Sequence, residues 1–262
     1  MFHSRATTAI LLTASLAACA PETTAMATAA DPATLDGTAW VLAALPGQAV
    51  AAGRSVTLRF ESGRAQGHDG CNRFTTPYTA SGSTLEVSSP GASTLMACPP
   101  ELAPQAEAFR AALAGARAWR IEKGQLELLA ADGRVLASFA PQPSYLTGTS
   151  WNATAINNGK QAVASVVADS TVTLEFLADG RAAGSAGCNR YTATWAADGS
   201  KLTFGPAAAT RKMCVRPEVM QQEQNFLAAL GSVAAARFEG DRLELRTAAG
   251  ALALIFERVS RQ

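Results

Sequence analysis

The sequence is poor in histidine, with only two in 262 residues. His3 falls in the N-terminal leader described below, so His68 alone could serve a Ser-His-Asp triad or a histidine-ligated metal. No Cys-x-x-Cys spacing occurs, and no glycine-rich phosphate loop or dinucleotide fingerprint follows a strand-like segment. These absences argue against an enzyme, a metal centre and a nucleotide cofactor.

The chain also lacks a large net charge of either sign. The formal net charge is +1, and lysine and arginine are scattered along the chain, which argues against a nucleic-acid partner. Beyond the first residues, no stretch is apolar for long enough to cross a membrane as a helix. The chain is 48% hydrophobic, so two domains of about 100 residues could each bury a core.

The N-terminus has the pattern of an export signal. Residues 1–18 combine a short basic start with an apolar run, and predict a lipoprotein signal peptide. The run ends in Leu16-Ala17-Ala18-Cys19, which resembles the bacterial lipobox, in which Cys19 is acylated; an ordinary small-residue cleavage site is the alternative. Ala20 resembles the signal that sorts lipoproteins to the outer membrane. We therefore expect a lipid anchor at the outer membrane, facing the periplasm, with residues 19–35 as the lipidated cysteine and flexible tether.

The rest of the chain contains an internal repeat. The motifs Gly37-Thr-Ala-Trp40, Val56-Thr-Leu-Arg-Phe60 and Gly70-Cys-Asn-Arg-Phe-Thr75 return as Gly148-Thr-Ser-Trp151, Val172-Thr-Leu-Glu-Phe176 and Gly187-Cys-Asn-Arg-Tyr-Thr192. From the last motif onward the offset is mostly 117 residues, and it aligns Met96 with Met213. We predict a first domain over 36–139, a proline-containing linker over 140–147 and a second domain over 148–258.

Within each copy, short segments alternate apolar and polar residues, which is typical of half-buried strands. One segment has helical spacing: Leu102, Ala106, Phe109 and Leu113 follow two prolines and precede Gly115 as a C-terminal cap. Pro217 to Leu230 repeats that design. The pattern predicts an α+β fold, mainly antiparallel β, with about eight strands and one packed helix in each domain.

Four cysteines remain once Cys19 is assigned to the anchor, two in each repeat. Four cysteines permit three pairings, of which only the pairing within repeats makes each domain self-contained. An exported chain meets an oxidising compartment, so we predict structural disulfides between Cys71 and Cys98 and between Cys188 and Cys214. A metal or redox site and unpaired buried thiols are the alternatives.

The succession of Gly-Thr-x-Trp, Gly-Cys-Asn-Arg, a methionine with a nearby cysteine, and a helix with Phe and Leu resembles the META domain family, which includes the heat-shock protein HslJ. The resemblance covers both repeats. It implies tandem antiparallel, barrel-like domains with one helix each, residence in the bacterial envelope, and an association with stress or antibiotic tolerance without an established catalytic activity.

The repeated motif residues can be explained by structure or by binding. Asn and Arg of Gly-Cys-Asn-Arg could contact a ligand, or they could brace a turn, with Arg paired to a repeated carboxylate such as Glu101 or Glu218. The tryptophan could line the base of a ligand cavity or anchor the core. We expect His68 in an exposed turn, and Glu122, Glu127, Glu239 and Glu244 facing solvent. The candidate motif residues are Gly70, Asn72, Arg73, Gly187, Asn189, Arg190, Trp40, Trp151, Met96 and Met213.

These observations predict a non-enzymatic envelope lipoprotein without cofactor or metal. It would bind a small hydrophobic molecule or an envelope protein in addition to its membrane anchor. A pilot or scaffold lipoprotein for an outer-membrane complex is the first alternative. A hydrolase built around His68 is a lesser one.

Overall fold

The computed structural model describes residue 1 and residues 34–51, 54–88, 91–160 and 162–259. Both repeats belong to one compact unit of the chain. The expected cleavage site and Cys19 lie outside the described residues. Among the helices in the described ranges, none has the length and apolar character needed to span a membrane.

The first repeat is an antiparallel sheet that closes on itself. Its order is β3-β2-β1-β9-β8-β7-β5-β4, with β3 also paired to β4 and the short β6 added to β4. The strands in its described part are β1 (Ala39–Ala44), β2 (Thr57–Glu61), β3 (Arg64–His68), β4 (Arg73–Ser81), β5 (Thr84–Val87), β6 (Ala92–Ser93), β7 (Ala118–Glu122), β8 (Gln125–Leu129) and β9 (Val135–Pro141). Helix α1 (Ala103–Gly115) lies between β6 and β7.

The second repeat has the same plan. Its closed order is β10-β12-β13-β14-β15-β17-β18-β19, with β19 paired back to β10, β11 added to β10 and β16 added to β14. Its elements are β10 (Ser150–Asn157), β11 (Val163–Ser165), β12 (Thr173–Phe176), β13 (Arg181–Ser185), β14 (Arg190–Asp198), β15 (Lys201–Phe204), β16 (Ala208–Ala209), α2 (Pro217–Gly231), β17 (Val233–Glu239), β18 (Arg242–Thr247) and β19 (Leu252–Arg258). The predicted pair of barrel-like α+β domains is confirmed.

Equivalent phenylalanines fill the two cores. Phe60, Phe109 and Phe139 are fully buried in the first repeat, and Phe176, Phe226 and Phe256 hold the same places in the second. Phe109 lies on α1 and packs edge-on against Phe139 of β9, with 6.3 Å between ring centroids. The helix of each repeat therefore packs against the sheet of the same repeat.

The helix follows the predicted spacing, except at its end. Ala106, Phe109 and Leu113 are buried on one face of α1. Gly115 is the last helical residue, and the cap is Ala116, whose backbone is already extended at φ −63° and ψ 133°. The predicted glycine cap is wrong because the chain passes directly from the helix towards β7 without the left-handed turn that favours glycine.

Candidate functional site: the cleft between the repeats

The Gly-Cys-Asn-Arg motifs form matching loops, between β3 and β4 in the first repeat and between β13 and β14 in the second. Gly70 has φ +100° and Gly187 has φ +112°, which L side chains rarely adopt. A Cβ atom would lie 3.4 Å from Gln105 Nε2 at the first position and 2.9 Å from Gln222 Nε2 at the second. The positive φ favours glycine at both positions, and at Gly187 an added Cβ would also crowd Gln222 of the helix.

The motif asparagines join this loop to the segment that precedes each helix. Asn72 Oδ1 accepts hydrogen bonds from Thr94 Oγ1 (2.8 Å) and from the Met96 backbone N–H (2.7 Å). Asn189 Oδ1 accepts the equivalent bonds from Thr210 Oγ1 (2.7 Å) and the Lys212 N–H (2.8 Å). Each asparagine satisfies backbone groups of a segment with little regular structure of its own.

The two predicted disulfides are confirmed, and they join the same two segments. Cys71 bonds Cys98 with a Cα–Cα distance of 5.2 Å, and Cys188 bonds Cys214 with 6.1 Å. In the second repeat, the two sulfurs and a Glu223 carboxylate oxygen lie within 4.8 Å of one another. In the disulfide form these sulfurs are bonded to each other, so no thiolate pair is available there for a metal.

The alignment of Met96 with Met213 is wrong. Asn72 binds the backbone of Met96, whereas Asn189 binds that of Lys212, so the structural offset here is 116 residues. The pairings of Thr75 with Ala92 and of Thr192 with Ala208 show the same offset. Relative to the first repeat, the second lacks one residue after β15 and has one additional residue before α2. Cys98 and Cys214 are therefore equivalent, whereas Met96 and Met213 are not. Met96 is half-exposed and Met213 almost fully exposed.

The glycine-threonine-tryptophan motif is a core anchor. Trp40 and Trp151 are buried, and each indole Nε1 donates a 2.7 Å hydrogen bond to the threonine hydroxyl two residues earlier, Thr38 or Thr149. The threonine holds the polar end of the buried indole, which explains why both residue types recur. The aromatic residue that directly follows each Gly-Cys-Asn-Arg motif packs on the helix: Phe74 contacts Phe109 and Tyr191 contacts Phe226.

A repeated glutamine on each helix was missed from the sequence. Gln105 and Gln222 are buried, and their Oε1 atoms accept 2.6 Å hydrogen bonds from the N–H groups of Ala51 and Val167. Gln222 Nε2 also donates to Ser170 Oγ at 2.7 Å. Gln105 Nε2 is buried without a partner among the described residues. The signal was a polar residue repeated at the 117-residue offset on an otherwise apolar helix face.

The two repeats satisfy the motif loop with different carboxylates. Asp69, fully buried, accepts the N–H groups of Cys71 (2.8 Å) and Asn72 (2.6 Å) and pairs with Arg110 of α1 at 2.5 Å. The second repeat has Ala186 and Leu227 at those two places. There, Glu223 of α2 accepts the Asn189 N–H at 2.8 Å and its side-chain amide at 2.9 Å. The carboxylate has moved from the loop to the helix.

The motif arginines differ even more. Arg73 crosses to the second repeat, where it lies 2.6 Å from Glu239 and 3.2 Å from Glu244. Arg190 is exposed and forms no ion pair within the described ranges. The predicted partners were wrong: Glu218, for example, pairs with Arg216. Arginine in this motif braces its own domain in neither copy.

Glu244 is the buried centre of the contact between repeats. It is 4% exposed and is also bound by Arg246 at 2.7 Å and by Arg242 at 3.2 Å. Burial alone would raise the pKa of its carboxyl, but the hydrogen bond from Arg246 and the charges of the three arginines hold that pKa below its usual value. Glu239 and Glu244 do not face solvent as predicted, because the first repeat covers that face of the sheet. The alternation of apolar and polar residues within one domain cannot show that another domain covers its polar face.

The turn between β17 and β18 completes the contact. Gln142 exchanges two hydrogen bonds with the backbone of Gly240, at 2.6 and 3.1 Å. Ser55 Oγ donates to Asp241 at 2.9 Å, and Arg59 donates to the carbonyl of Phe238 at 3.3 Å. The repeats are therefore fixed to each other by ion pairs and by main-chain hydrogen bonds.

A cavity of about 620 Å³ opens beside this contact, and we call it the inter-repeat cleft. The first repeat contributes one side and the second the other. Its lining residues are Arg54, Ser55, His68, Arg73, Thr94, Met96, Glu239, Asp241, Arg242, Glu257 and Arg258. The volume falls in the range typical of small-molecule sites.

His68 lies in this cleft and not in an exposed turn, so that prediction was wrong. The β2–β3 pairing extends to His68, which is 7% exposed. Its Nδ1 accepts the Gly70 N–H at 3.0 Å, which places the ring proton on Nε2. Desolvation, followed by the charges of Arg54 and Arg73, lowers its pKa to about 4, so the ring is neutral at physiological pH. Ser185 accepts the equivalent Gly187 N–H in the second repeat.

Comparison with known proteins identifies one family for both repeats. The META domain model matches residues 33–143 and 144–260. An NMR structure of a protein from Burkholderia xenovorans is 28% identical over 47% of this chain and 93% of its own, with a TM-score of 0.38. A second NMR structure is 24% identical over 43% and 90%, with a TM-score of 0.34. No curated protein matches the chain. Because the META model matches both repeats and covers most of the sequence, the chain belongs to the META domain family as a two-domain member.

Proposed function

We propose that this protein is a non-enzymatic, lipid-anchored envelope protein whose two META domains act together as one small-molecule binding unit. The observation that carries the proposal is the inter-repeat cleft, since its two sides come from different repeats. One domain alone would present an open surface where the pair presents a concave site.

The envelope location is supported by two features of the chain. Leu16 to Cys19 fits a lipobox, and the Ala20 that follows favours the outer membrane. Two disulfides within repeats suit an oxidising compartment such as the periplasm. Membership of the META family adds an association with stress or antibiotic tolerance.

The location of the binding site is supported by the small space between sheet and helix in the first repeat. The predicted hydrophobic ligand would occupy a space between sheet and helix. In the first repeat that space, between β4, β6 and α1, measures about 140 Å³ and is lined partly by Phe109 and Leu113. Sites for drug-sized molecules are usually about 300–1,000 Å³, so the inter-repeat cleft suits a ligand better.

The arrangement of His68 and Ser55 favours binding over hydrolysis. Ser55 Oγ hydrogen-bonds Asp241, while His68 Nδ1 accepts a backbone N–H. A triad needs Nδ1 to donate to a carboxylate and Nε2 to accept the serine proton, which is the opposite tautomer. A pKa of about 4 also makes His68 a weak base.

A scaffold role is the second candidate, and exposed apolar side chains favour it. Leu95, Met213 and Val215 are each at least 90% exposed. They lie on the segments that join β6 to α1 and β16 to α2. Side chains of this kind could dock against an envelope protein.

Native mass spectrometry tests the binding role. Because both repeats belong to one compact unit, the chain from Ala20 onward can be exported to a periplasm and purified without detergent. We expect a co-purifying small molecule that is lost in Met96→Trp, which fills the cleft, and retained in Met213→Trp, a matched change outside it. An adduct that neither change removes would contradict the cleft as the site. Absence of any adduct, with one heavy crosslinked species in cells, would favour the scaffold role.

Anchoring needs its own measurement in the full chain. Cys19→Ser should move the protein from the outer-membrane fraction to the soluble periplasm and abolish incorporation of labelled fatty acid. Persistence of the label in this variant would contradict anchoring through Cys19.

A further inference from the structure

We infer that the inter-repeat cleft binds an organic anion, a carboxylate or phosphate ester, through Arg54 of the first repeat and Arg258 of the second. This rests on the proposed function, since it names the ligand class of the same cleft. It follows from the positive charge of Arg54, which pairs with no carboxylate among the described residues, and from the fixed guanidinium of Arg258 in the same lining.

The charges around the cleft do not cancel. The lining residues and the Arg246–Glu244 pair behind them comprise five guanidinium groups (Arg54, Arg73, Arg242, Arg246, Arg258) and four carboxylates (Glu239, Asp241, Glu244, Glu257). Arg73, Arg242 and Arg246 are bound to Glu239 or Glu244. Glu257 lies directly opposite Arg242 in the β18–β19 register, which offsets its charge. The excess is therefore positive.

Arg54 carries that excess. It is exposed and forms no ion pair with any carboxylate in the described part of the chain. Its Nη1 atom lies 3.5 Å from His68 Nε2. Because that nitrogen holds the ring proton, the pair places two donors side by side, which an oxyanion could accept together.

Arg258 presents a further donor that is already fixed in place. Its guanidinium carbon lies 4.4 Å from the centroid of the buried Trp151 ring, and its Nε is 3.8 Å from Asp241. Its Nη2 atom is buried and without a hydrogen-bond partner among the described residues. A guanidinium held by stacking can bind an oxyanion with little loss of side-chain entropy.

The repeat comparison indicates that Arg54 does not serve the fold. The equivalent residue of the second repeat is Ser170, which accepts a hydrogen bond from Gln222. With arginine in that place, Gln105 Nε2 is left buried and unpartnered. The first repeat thus forgoes a buried hydrogen bond, and Arg54 gains no ion pair within the described residues in return.

The size of the cleft favours an organic anion over an inorganic one. About 620 Å³ is far more than a phosphate or carboxylate group requires. Met96 supplies an apolar side chain on the first-repeat side of the lining. A molecule with an anionic head and an apolar body would fit both parts of this lining.

Isothermal titration of the chain from Ala20 onward tests the inference with hexanoate, hexyl phosphate, inorganic phosphate and the uncharged hexyl glucoside. We expect at least one hexyl anion to bind and hexyl glucoside not to. Arg54→Ser should weaken that binding at least tenfold, Arg54→Lys should weaken it less, and Arg190→Ser, an exposed arginine of the second repeat, should leave it unchanged. Arg54→Ser should unfold at a temperature no lower than the parent protein, because serine can accept the Gln105 hydrogen bond.

The outcomes separate this inference from the proposed function. Binding of hexyl glucoside as tightly as the hexyl anions, insensitive to Arg54→Ser, would overturn the anion site while leaving a binding cleft. Absence of binding by all four probes, together with no co-purifying molecule, would overturn both. Inorganic phosphate binding as tightly as hexyl phosphate, with the same dependence on Arg54, would support the oxyanion contact but overturn the organic body that the inference assigns to the ligand.

Discussion

Arg73 and Arg190 occupy the same position in the two repeats, yet Arg73 binds Glu239 and Glu244 across the repeat contact while Arg190 extends into solvent. We therefore expect Arg73→Ala to lower the free energy of unfolding by about 1–2 kcal/mol, a range reduced for screening because half of the side chain is exposed. Arg190→Ala should change it by less than about 0.5 kcal/mol. Guanidinium unfolding of both variants measures the difference, and equal effects would argue against the cross-repeat pairing.

Gly240 should be less replaceable than Gly250, although both lie in turns of the second repeat with positive φ, +61° and +79°. A Cβ at Gly250 meets open space, whereas one at Gly240 would lie 2.5 Å from the Cβ of Ser55. Gly250→Ala should lose about 1 kcal/mol from its backbone conformation alone. Gly240→Ala should lose a further ~1–3 kcal/mol from the clash.

Combining Gly240→Ala with Ser55→Gly gives a control for this contact. Removing the opposing Cβ should recover much of the additional loss in urea unfolding. Because Ser55→Gly alone also loses the hydrogen bond to Asp241, the double variant is compared with the sum of the two single losses; if it is no more stable than that sum, the close approach of the two repeats at this turn is not the cause.

His68 should make stability depend on pH in the mildly acidic range. Its pKa is about 4 in the folded protein, whereas an unperturbed histidine has a pKa of 6.5. The unfolded chain therefore binds the proton first as the pH falls. The contribution of neutral His68 is therefore complete above pH ~6.5 and is lost between pH ~6.5 and pH ~4, by at most about 3 kcal/mol.

His68→Ser isolates this effect because Ser185 performs the same loop contact in the second repeat. Urea unfolding at pH ~7 and ~4.5 should show a smaller acid loss in the variant than in the parent protein. Identical pH dependence would mean that His68 titrates normally and lies in contact with water.

The disulfides should be complete in protein recovered from an oxidising compartment. Iodoacetamide should add no mass before reduction, and peptide mapping should link Cys71 to Cys98 and Cys188 to Cys214. Each closed loop should stabilise its domain by about 3.5 kcal/mol in the chain-entropy model. Free alkylation without reduction would instead direct attention to the thiols and Glu223 as a metal or redox site.

The domain fold could be predicted because its signals are local and occur twice. Alternating strands, a helix after paired prolines and two cysteines per repeat each follow from neighbouring residues, and duplication separates the pattern from noise. Trp40 and Trp151 belong to this class, since a glycine-threonine-tryptophan sequence already contains the hydroxyl that the indole binds.

The cleft could not be predicted because it depends on how two similar domains meet. Glu244 has the alternation of a solvent-facing residue, and only the cover of the first repeat makes it buried. His68 resembled a turn residue because the β2–β3 pairing that includes it is not visible in its neighbours. The available signal was the set of positions at which the repeats differ, such as Arg54 against Ser170, and not the residues that they share.

The exchange of Asp69 for Glu223 has a consequence for how the chain folds. Two homologous halves on one polypeptide can trap each other by trading equivalent segments. If α2 docked on the first sheet, Glu223 would face Asp69 with Leu227 in place of Arg110, so two carboxylates would share one loop without a cation. If α1 docked on the second sheet, Ala106 and Ala186 would leave the Asn189 N–H without an acceptor. Each exchanged pairing would therefore lose polar contacts, so these differences favour the pairing of each helix with the sheet of its own repeat.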